Sequence, residues 1–129
     1  MAIRRHRVLV IDDDPRIPEI IRSLLEATSR FEVQTGSRPA LALDAARSFR
    51  PDLIILDVNM PGKDGGEVAR EIAGDRSLAA TPILFLTSLV SKSETGGGTT
   101  VRGGMPFLAK PVTREGLLAA VNSLIPDAT

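Results

Sequence analysis

Pro51-Asp52-Leu53-Ile54-Ile55-Leu56-Asp57-Val58-Asn59-Met60-Pro61-Gly62-Lys63-Asp64-Gly65-Gly66 decides the fold. Leu53 to Leu56 is an unbroken apolar run, half of it β-branched, bounded by Pro51 and by Pro61-Gly62. A run that short suits a strand buried on both faces. It ends in a carboxylate, Asp57, which therefore sits at the strand's C-terminal end, where ligands bind in an open parallel α/β sheet. A loop follows, and Asp64 offers the N-cap of a helix running through Val68 and Ile72. Alone, Asp57 reads as a loop acid or a cap; the other strand ends change that reading.

Outward from this unit, strand and helix signals alternate. Arg7 to Ile11 is a first strand, followed at once by Asp12-Asp13-Asp14. Asp14-Pro15 starts a helix, with Asp as N-cap and Pro at the first helical position. Ile17, Ile20, Ile21, Leu24 and Leu25 give it one apolar face, and Pro18 falls near the end of its first turn, where a missing donor costs little. Phe31 to Thr35 alternates and ends at Gly36, as in a less buried strand. Ser37 to Pro39 opens a helix lined by Ala42, Ala45, Ala46 and Phe49, and Arg50-Pro51 ends it. Pro82 to Thr87 is a fourth strand and Met105 to Ala109 a fifth, followed by Lys110-Pro111. Thr113 caps a last helix with Leu117, Leu118, Val121 and Leu124 on one face, and Pro126 closes it. The alternation predicts a parallel sheet with helices on both faces and right-handed crossovers.

One segment breaks the rhythm. Ser91 to Gly104, where a helix is due, reads SKSETGGGTTVRGG, with five glycines. Each glycine costs a helix about 1 kcal/mol relative to alanine. The expectation is a weak, short or disordered fourth helix and a mobile surface loop, or else a segment that orders on a partner.

Length allows one compact domain, spanning 1–129 with its core at about 7–125, and too little chain for two. The 129 residues are 43% apolar and carry zero formal net charge, with one His and no Cys, Trp or Tyr. Zero charge gives no electrostatic case for direct nucleic-acid or membrane binding. The absence of cysteine excludes disulfides and thiolate metal sites. The run Val8 to Ile11 is too short for a signal segment, and nothing approaches the roughly 20 apolar residues of a membrane span. A soluble cytoplasmic domain is expected. Only Pro126 to Thr129 follow the last helix, so no output domain is expected in the chain.

Four apolar strands thus end in Asp12-Asp13, Asp57, Thr87 and Lys110, and a parallel sheet brings all four ends to one edge. Clustered carboxylates repel, so either one is protonated or a cation sits among them. An oxygen-only site fits Mg²⁺. A carboxylate beside Mg²⁺, faced by a lysine and a hydroxyl, suits phosphoryl transfer to the carboxylate. Singly, each residue has a plain structural explanation: an acidic helix start, a strand-end cap, a solvated lysine. Their coincidence at these ends does not.

The segments VLVIDDDP, PDLIILDVNMPGKDG, PILFLTS and PFLAKP, in that order, resemble the response-regulator receiver domain of two-component signal transduction, over essentially the whole chain. The resemblance implies the flavodoxin-like (CheY-like) doubly wound fold, a five-stranded parallel sheet in order 2-1-3-4-5 with flanking helices. It implies Asp57 as phosphoacceptor, and Asp13, Asp57 and the backbone carbonyl of Asn59 as Mg²⁺ ligands, with Asp12 acting through water. Lys110 resembles the phosphoryl-binding lysine, Thr87 the switch hydroxyl, Phe107 the aromatic switch, and Lys110-Pro111 a bond that is cis in the family. Asn59 and Leu89 match positions that tune dephosphorylation. Implied partners are a sensor histidine kinase or phosphotransfer protein and a downstream protein; the implied role is signalling rather than turnover. Two rivals remain. A phosphatase using an aspartyl-phosphate typically wants an acid two residues after its nucleophile, where this chain has Asn59. A receiver-like module that is never phosphorylated finds support only in the glycine-rich segment.

Overall fold

A computed structural model describes residues 5–88, 99–102 and 105–125. Strands β1 (His6–Ile11), β2 (Phe31–Gly36), β3 (Leu53–Asp57), β4 (Ile83–Thr87), β5 (Thr99–Arg102) and β6 (Met105–Ala109) form one sheet in the order β2-β1-β3-β4-β6-β5. The helices are α1 (Arg16–Glu26), α2 (Ala42–Phe49), α3 (Gly65–Ala73) and α4 (Arg114–Leu124), with a 3-10 turn, Pro39–Leu41, leading into α2. The expected parallel order 2-1-3-4-5 is present, its fifth strand being β6.

The strands separate two apolar layers, as period-two alternation requires. On one side Val8, Val10, Ile55, Leu84 and Leu86 pack with Ile21 and Leu25 of α1 and Leu117 and Val121 of α4. On the other, Leu9, Ile11, Ile54, Leu56 and Phe85 pack with Ala42 and Ala46 of α2 and Val68 and Ile72 of α3. Small alanines let α2 lie close to the sheet. Two of the three expected caps, Asp64 and Thr113, are found; at α1 the cap position is Pro15, and Asp14 bonds from one residue before it. Asp14 Oδ1 accepts from the Arg16 amide at 3.0 Å, Asp64 Oδ1 from Glu67 at 2.9 Å, and Thr113 Oγ1 from Gly116 at 3.1 Å.

Two further expectations need correction. In α1 the inward face is Pro18, Ile21 and Leu25, while Ile20 is 47% exposed. Pro18 takes a core position because the first turn needs no donor from it, and Ile20 then falls outside the buried stripe. The segment Ser91 to Gly104, expected to be a mobile loop, contains β5, which runs antiparallel to β6 with Val101 opposite Pro106. Thr99, Thr100 and Val101 are β-branched, and two glycines separate Arg102 from Met105, a hairpin signal hidden inside a block of glycines. Residues 89–98, with Leu89 and the run Gly96 to Gly98, lie outside the described residues, as do Gly103, Gly104 and Pro126. Among the described residues no helix lies between β4 and β6, and none is long and apolar enough to cross a membrane.

Candidate functional site

Strand register assembles the site. Ile11 pairs with Leu56, so Asp12 and Asp57 come level; Asp57 pairs with Leu86, one residue before Thr87; Thr87 pairs with Ala109, one residue before Lys110. Backbone bonds carry the ladders past the strand ends: Asp12 N donates to Gly36 O of β2 at 3.1 Å, Val58 N to Leu86 O at 3.1 Å, and Lys110 N to Thr87 O at 2.9 Å.

Three consecutive aspartates follow β1, and each has a different task. Asp12 is fully buried, and its Oδ1 accepts from the Asp14 amide at 3.0 Å. Asp13 is exposed. Asp14 turns away to Arg16, with contacts of 3.0 Å to Nε and 2.8 Å to Nη2. That hydrogen bonding from Arg16 holds its carboxyl at a pKa of about 2. Carboxylate oxygens of Asp12, Asp13 and Asp57 lie within 4.8 Å of one another.

Lys110 reaches into this group. Its Nζ lies 2.9 Å from Asp12 Oδ2 and donates to Asp57 Oδ1 at 3.2 Å. One ammonium faces the two buried acids, with Asp13 beside them. Burial, and then the Asp12 charge, push the Asp57 carboxyl up to about 6, with Lys110 offsetting part of the rise. Burial works against the Lys110 charge, but Asp12 and Asp57 outweigh it and raise the ammonium's pKa. Asp12 Oδ2, fully buried, has the Lys110 ammonium as its close neighbour at 2.9 Å. One ammonium shared by two buried carboxylates leaves negative charge in excess, a costly state unless a cation completes it. The oxygen-only donor set and the surplus negative charge fit a hard divalent cation.

The other expected residues fall around this centre. Thr87 is buried at the end of β4. Phe107 is half-buried on β6, directly across from Phe85, with the rings stacked at 5.4 Å between centroids. Asn59 is exposed in the loop between β3 and α3. The Lys110-Pro111 peptide is cis. The register thus groups Asp12, Asp13, Asp57 and Lys110, with Thr87 on the adjoining strand end, while Phe107 lies two pairs lower on the sheet.

Sequence reading passed over what fixes the β3–α3 loop. Met60 is 6% exposed and sinks into the core under α2 and α3, anchoring the loop's middle. Gly65 N donates to Val58 O at 3.0 Å, closing the loop. A Cβ at Gly65 would overlap the Asp57 carbonyl oxygen, so the first turn of α3 rests directly on the backbone of Asp57. The glycines after Asp64 were the available signal; the first of them, Gly65, marks close backbone approach rather than flexibility.

Residues 8–122 match the family described as the response regulator receiver domain. The chain is 39% identical over 119 residues to the response regulator MprA of Mycobacterium tuberculosis, covering 92% of this chain and 50% of that protein. It is 38% identical over 125 residues to MprA of Mycolicibacterium vanbaalenii, covering 95% and 52%. The chain therefore spans about half the length of the curated relatives it matches. The chemotaxis response regulator CheY4 of Vibrio cholerae superposes with a TM-score of 0.77 at 29% identity, over 94% of this chain and 99% of that one. The receiver domain of the sensor histidine kinase PA1611 from Pseudomonas aeruginosa gives 0.78 at 26% identity, over 96% and 100%; that structure is described with a magnesium ion coordinated in its active site cleft.

Proposed function

The chain belongs to the response regulator receiver domain family, and from this we propose that Asp57 accepts a phosphoryl group from the phosphohistidine of a histidine kinase or phosphotransfer protein, in a Mg²⁺-dependent reaction in the cytoplasm. The observation that carries the reading is Asp57 itself. It is a buried carboxylate at a strand end, crowded by Asp12 and Asp13 and held by Lys110.

Asp13, Asp57 and the Asn59 carbonyl would hold Mg²⁺ directly, and Asp12 through water; when bound, the ion supplies positive charge to the phosphoryl oxygens. An Asp57 carboxylate oxygen attacks phosphorus in line as the bond to the donor imidazole breaks, and the imidazole nitrogen keeps the electron pair. Lys110 transfers its contact from Asp57 to a phosphoryl oxygen, so the new charge meets an ammonium already in place. The Thr87 hydroxyl donates to another phosphoryl oxygen. Its movement vacates space beside β4 into which the half-buried Phe107 turns. The phosphorylated chain thereby shifts a surface equilibrium that a downstream protein reads. Burial of the acceptor serves the chemistry, because a desolvated carboxylate is a stronger nucleophile once its repulsion is relieved.

The test is labelling with acetyl phosphate, with and without Mg²⁺, followed by intact mass, on wild type and Asp57→Asn. One base-labile phosphate on the wild type, dependent on Mg²⁺ and absent from the variant, is the expected result. Full labelling of Asp57→Asn would remove Asp57 from the role.

A further inference from the structure

On the sheet face turned to α2 and α3, four side chains stand at the corners of a square. Phe85 pairs with Phe107, and Thr87 with Ala109. Residues two apart on a strand share a face. Phe85 and Phe107 both pack into the α2–α3 layer, so Thr87 and Ala109 face the same way, one level nearer the Asp57 edge.

The lower pair is a stack, with ring centroids 5.4 Å apart and planes 28° from parallel. Its two members are held unequally. Phe85 is 7% exposed and sits in the buried layer with Leu56, Val68 and Ile72. Phe107 is half-buried. Its backbone is paired on both sides, with Phe85 of β4 and Thr100 of β5. A change in the place of its ring is therefore a rotation of the side chain rather than a shift of the strand. The upper pair is small, a threonine beside the methyl of Ala109. A Phe107 ring that turns toward Thr87 crosses Ala109. Successive levels on one face lie about 6–7 Å apart, more than the 5.4 Å between the rings. The ring thus leaves the face of Phe85 when it rises.

Resting on the receiver reading above, we propose that Phe85 is a positioning residue for the switch: its ring clamps Phe107 in the resting arrangement, and phosphorylation of Asp57 has to break that stack before Phe107 turns toward Thr87. Phe85 lies two residues short of Thr87 and acts only through Phe107, setting how strongly the resting arrangement is preferred. Linkage then requires that weakening the clamp tighten the binding of a phosphoryl mimic at Asp57.

Beryllofluoride, which takes the place of a phosphoryl group on a carboxylate, is titrated by calorimetry into the Mg²⁺-loaded chain. Phe85→Leu should bind it about three- to tenfold more tightly than wild type, the share of one stacked aromatic pair. Phe85→Ile, also without a ring, should move the affinity in the same direction. In a Phe107→Leu background, adding Phe85→Leu should change the affinity by less than about 1.5-fold, because the stack is already gone. Circular dichroism checks the fold, and a merely structural role for Phe85 would not tighten binding. Affinity unchanged or weakened in Phe85→Leu and Phe85→Ile, or a tightening that persists in the Phe107→Leu background, overturns the clamp while leaving Asp57 as acceptor. A folded, Mg²⁺-loaded wild type that binds no beryllofluoride overturns the receiver reading and the clamp together.

Discussion

The two ends of the central strands hold charged residues in opposite ways. At the N-terminal end, Arg7 and Asp52 complete each other. The Arg7 amide donates to Asp52 Oδ2 at 2.8 Å, the Asp52 amide to Arg7 O at 2.7 Å, and the Arg7 guanidinium donates to Phe49 O at 3.0 Å while lying over the Phe49 ring. At the C-terminal end, buried Asp12 and Asp57 face one ammonium, and Asp13 adds a third carboxylate nearby. The first end is finished by its own chain. The second is finished only by something added. Both ends are polar, so polarity alone does not distinguish support from site; completeness does.

The sharpest way to break this contrast is to remove the lysine. Lys110→Met leaves Asp12 and Asp57 buried without an ammonium, and should cost about 3 kcal/mol or more in urea unfolding at pH 7.5 without metal, as for other broken buried pairs. Added Mg²⁺ should recover part of that. A loss below about 1 kcal/mol would mean the pair is solvated and the end is not incomplete.

Removing the acceptor charge should act in the other direction. The native pKa of Asp57, about 6, lies above the ordinary 3.8. Its environment therefore stabilises the fold most below about pH 4, where the group is protonated, and that contribution is lost as pH rises through 6. At pH 7.5 the ionised carboxylate is held at a cost, so Asp57→Asn should gain about 1–3 kcal/mol without Mg²⁺. The gain should shrink towards pH 4. A gain independent of pH would contradict the crowding of these acids.

At the finished end the same kind of change should be a plain loss. Asp52→Ala removes the acceptor of the Arg7 amide and should cost about 1–2 kcal/mol, the same with or without Mg²⁺. Opposite signs at Asp57 and Asp52, measured under one set of conditions, would be the contrast in its simplest form.

Most of the architecture was legible because its signals are local. Apolar runs ending in polar residues at Ile11, Leu56, Leu86 and Ala109 gave strands and their ends together, and a parallel sheet leaves little choice about which edge those ends share. The caps at Asp64 and Thr113 were legible for the same reason. The grouping of Asp12, Asp13, Asp57 and Lys110 followed from register. What escaped depends on third parties. Ile20 satisfies the helical period, yet Pro18 takes the buried place. Met60 looks like a loop residue until α2 and α3 supply a core beneath it. Strand β5 was masked by neighbouring glycines, because a composition read over fourteen residues hides a four-residue strand. Pro106 cannot donate, so its pair with Val101 should be the one lacking a full set of ladder bonds. The Thr100 and Arg102 amides should then exchange more slowly than those of Thr99 and Val101, and equal fast exchange at all four would return the segment to a loop.

The contact between Gly65 and the carbonyl of Asp57 has a mechanical consequence. With no side chain between them, helix α3 and the acceptor strand meet as two rigid bars at a bare joint, while the loop from Val58 to Gly65 is a longer bypass pinned at its middle by Met60. Force applied to the outer side of α3 is delivered to the acceptor's backbone without passing through that loop. The helix is a lever whose short arm ends at Asp57, and Gly65→Ala would insert a shim into the bearing.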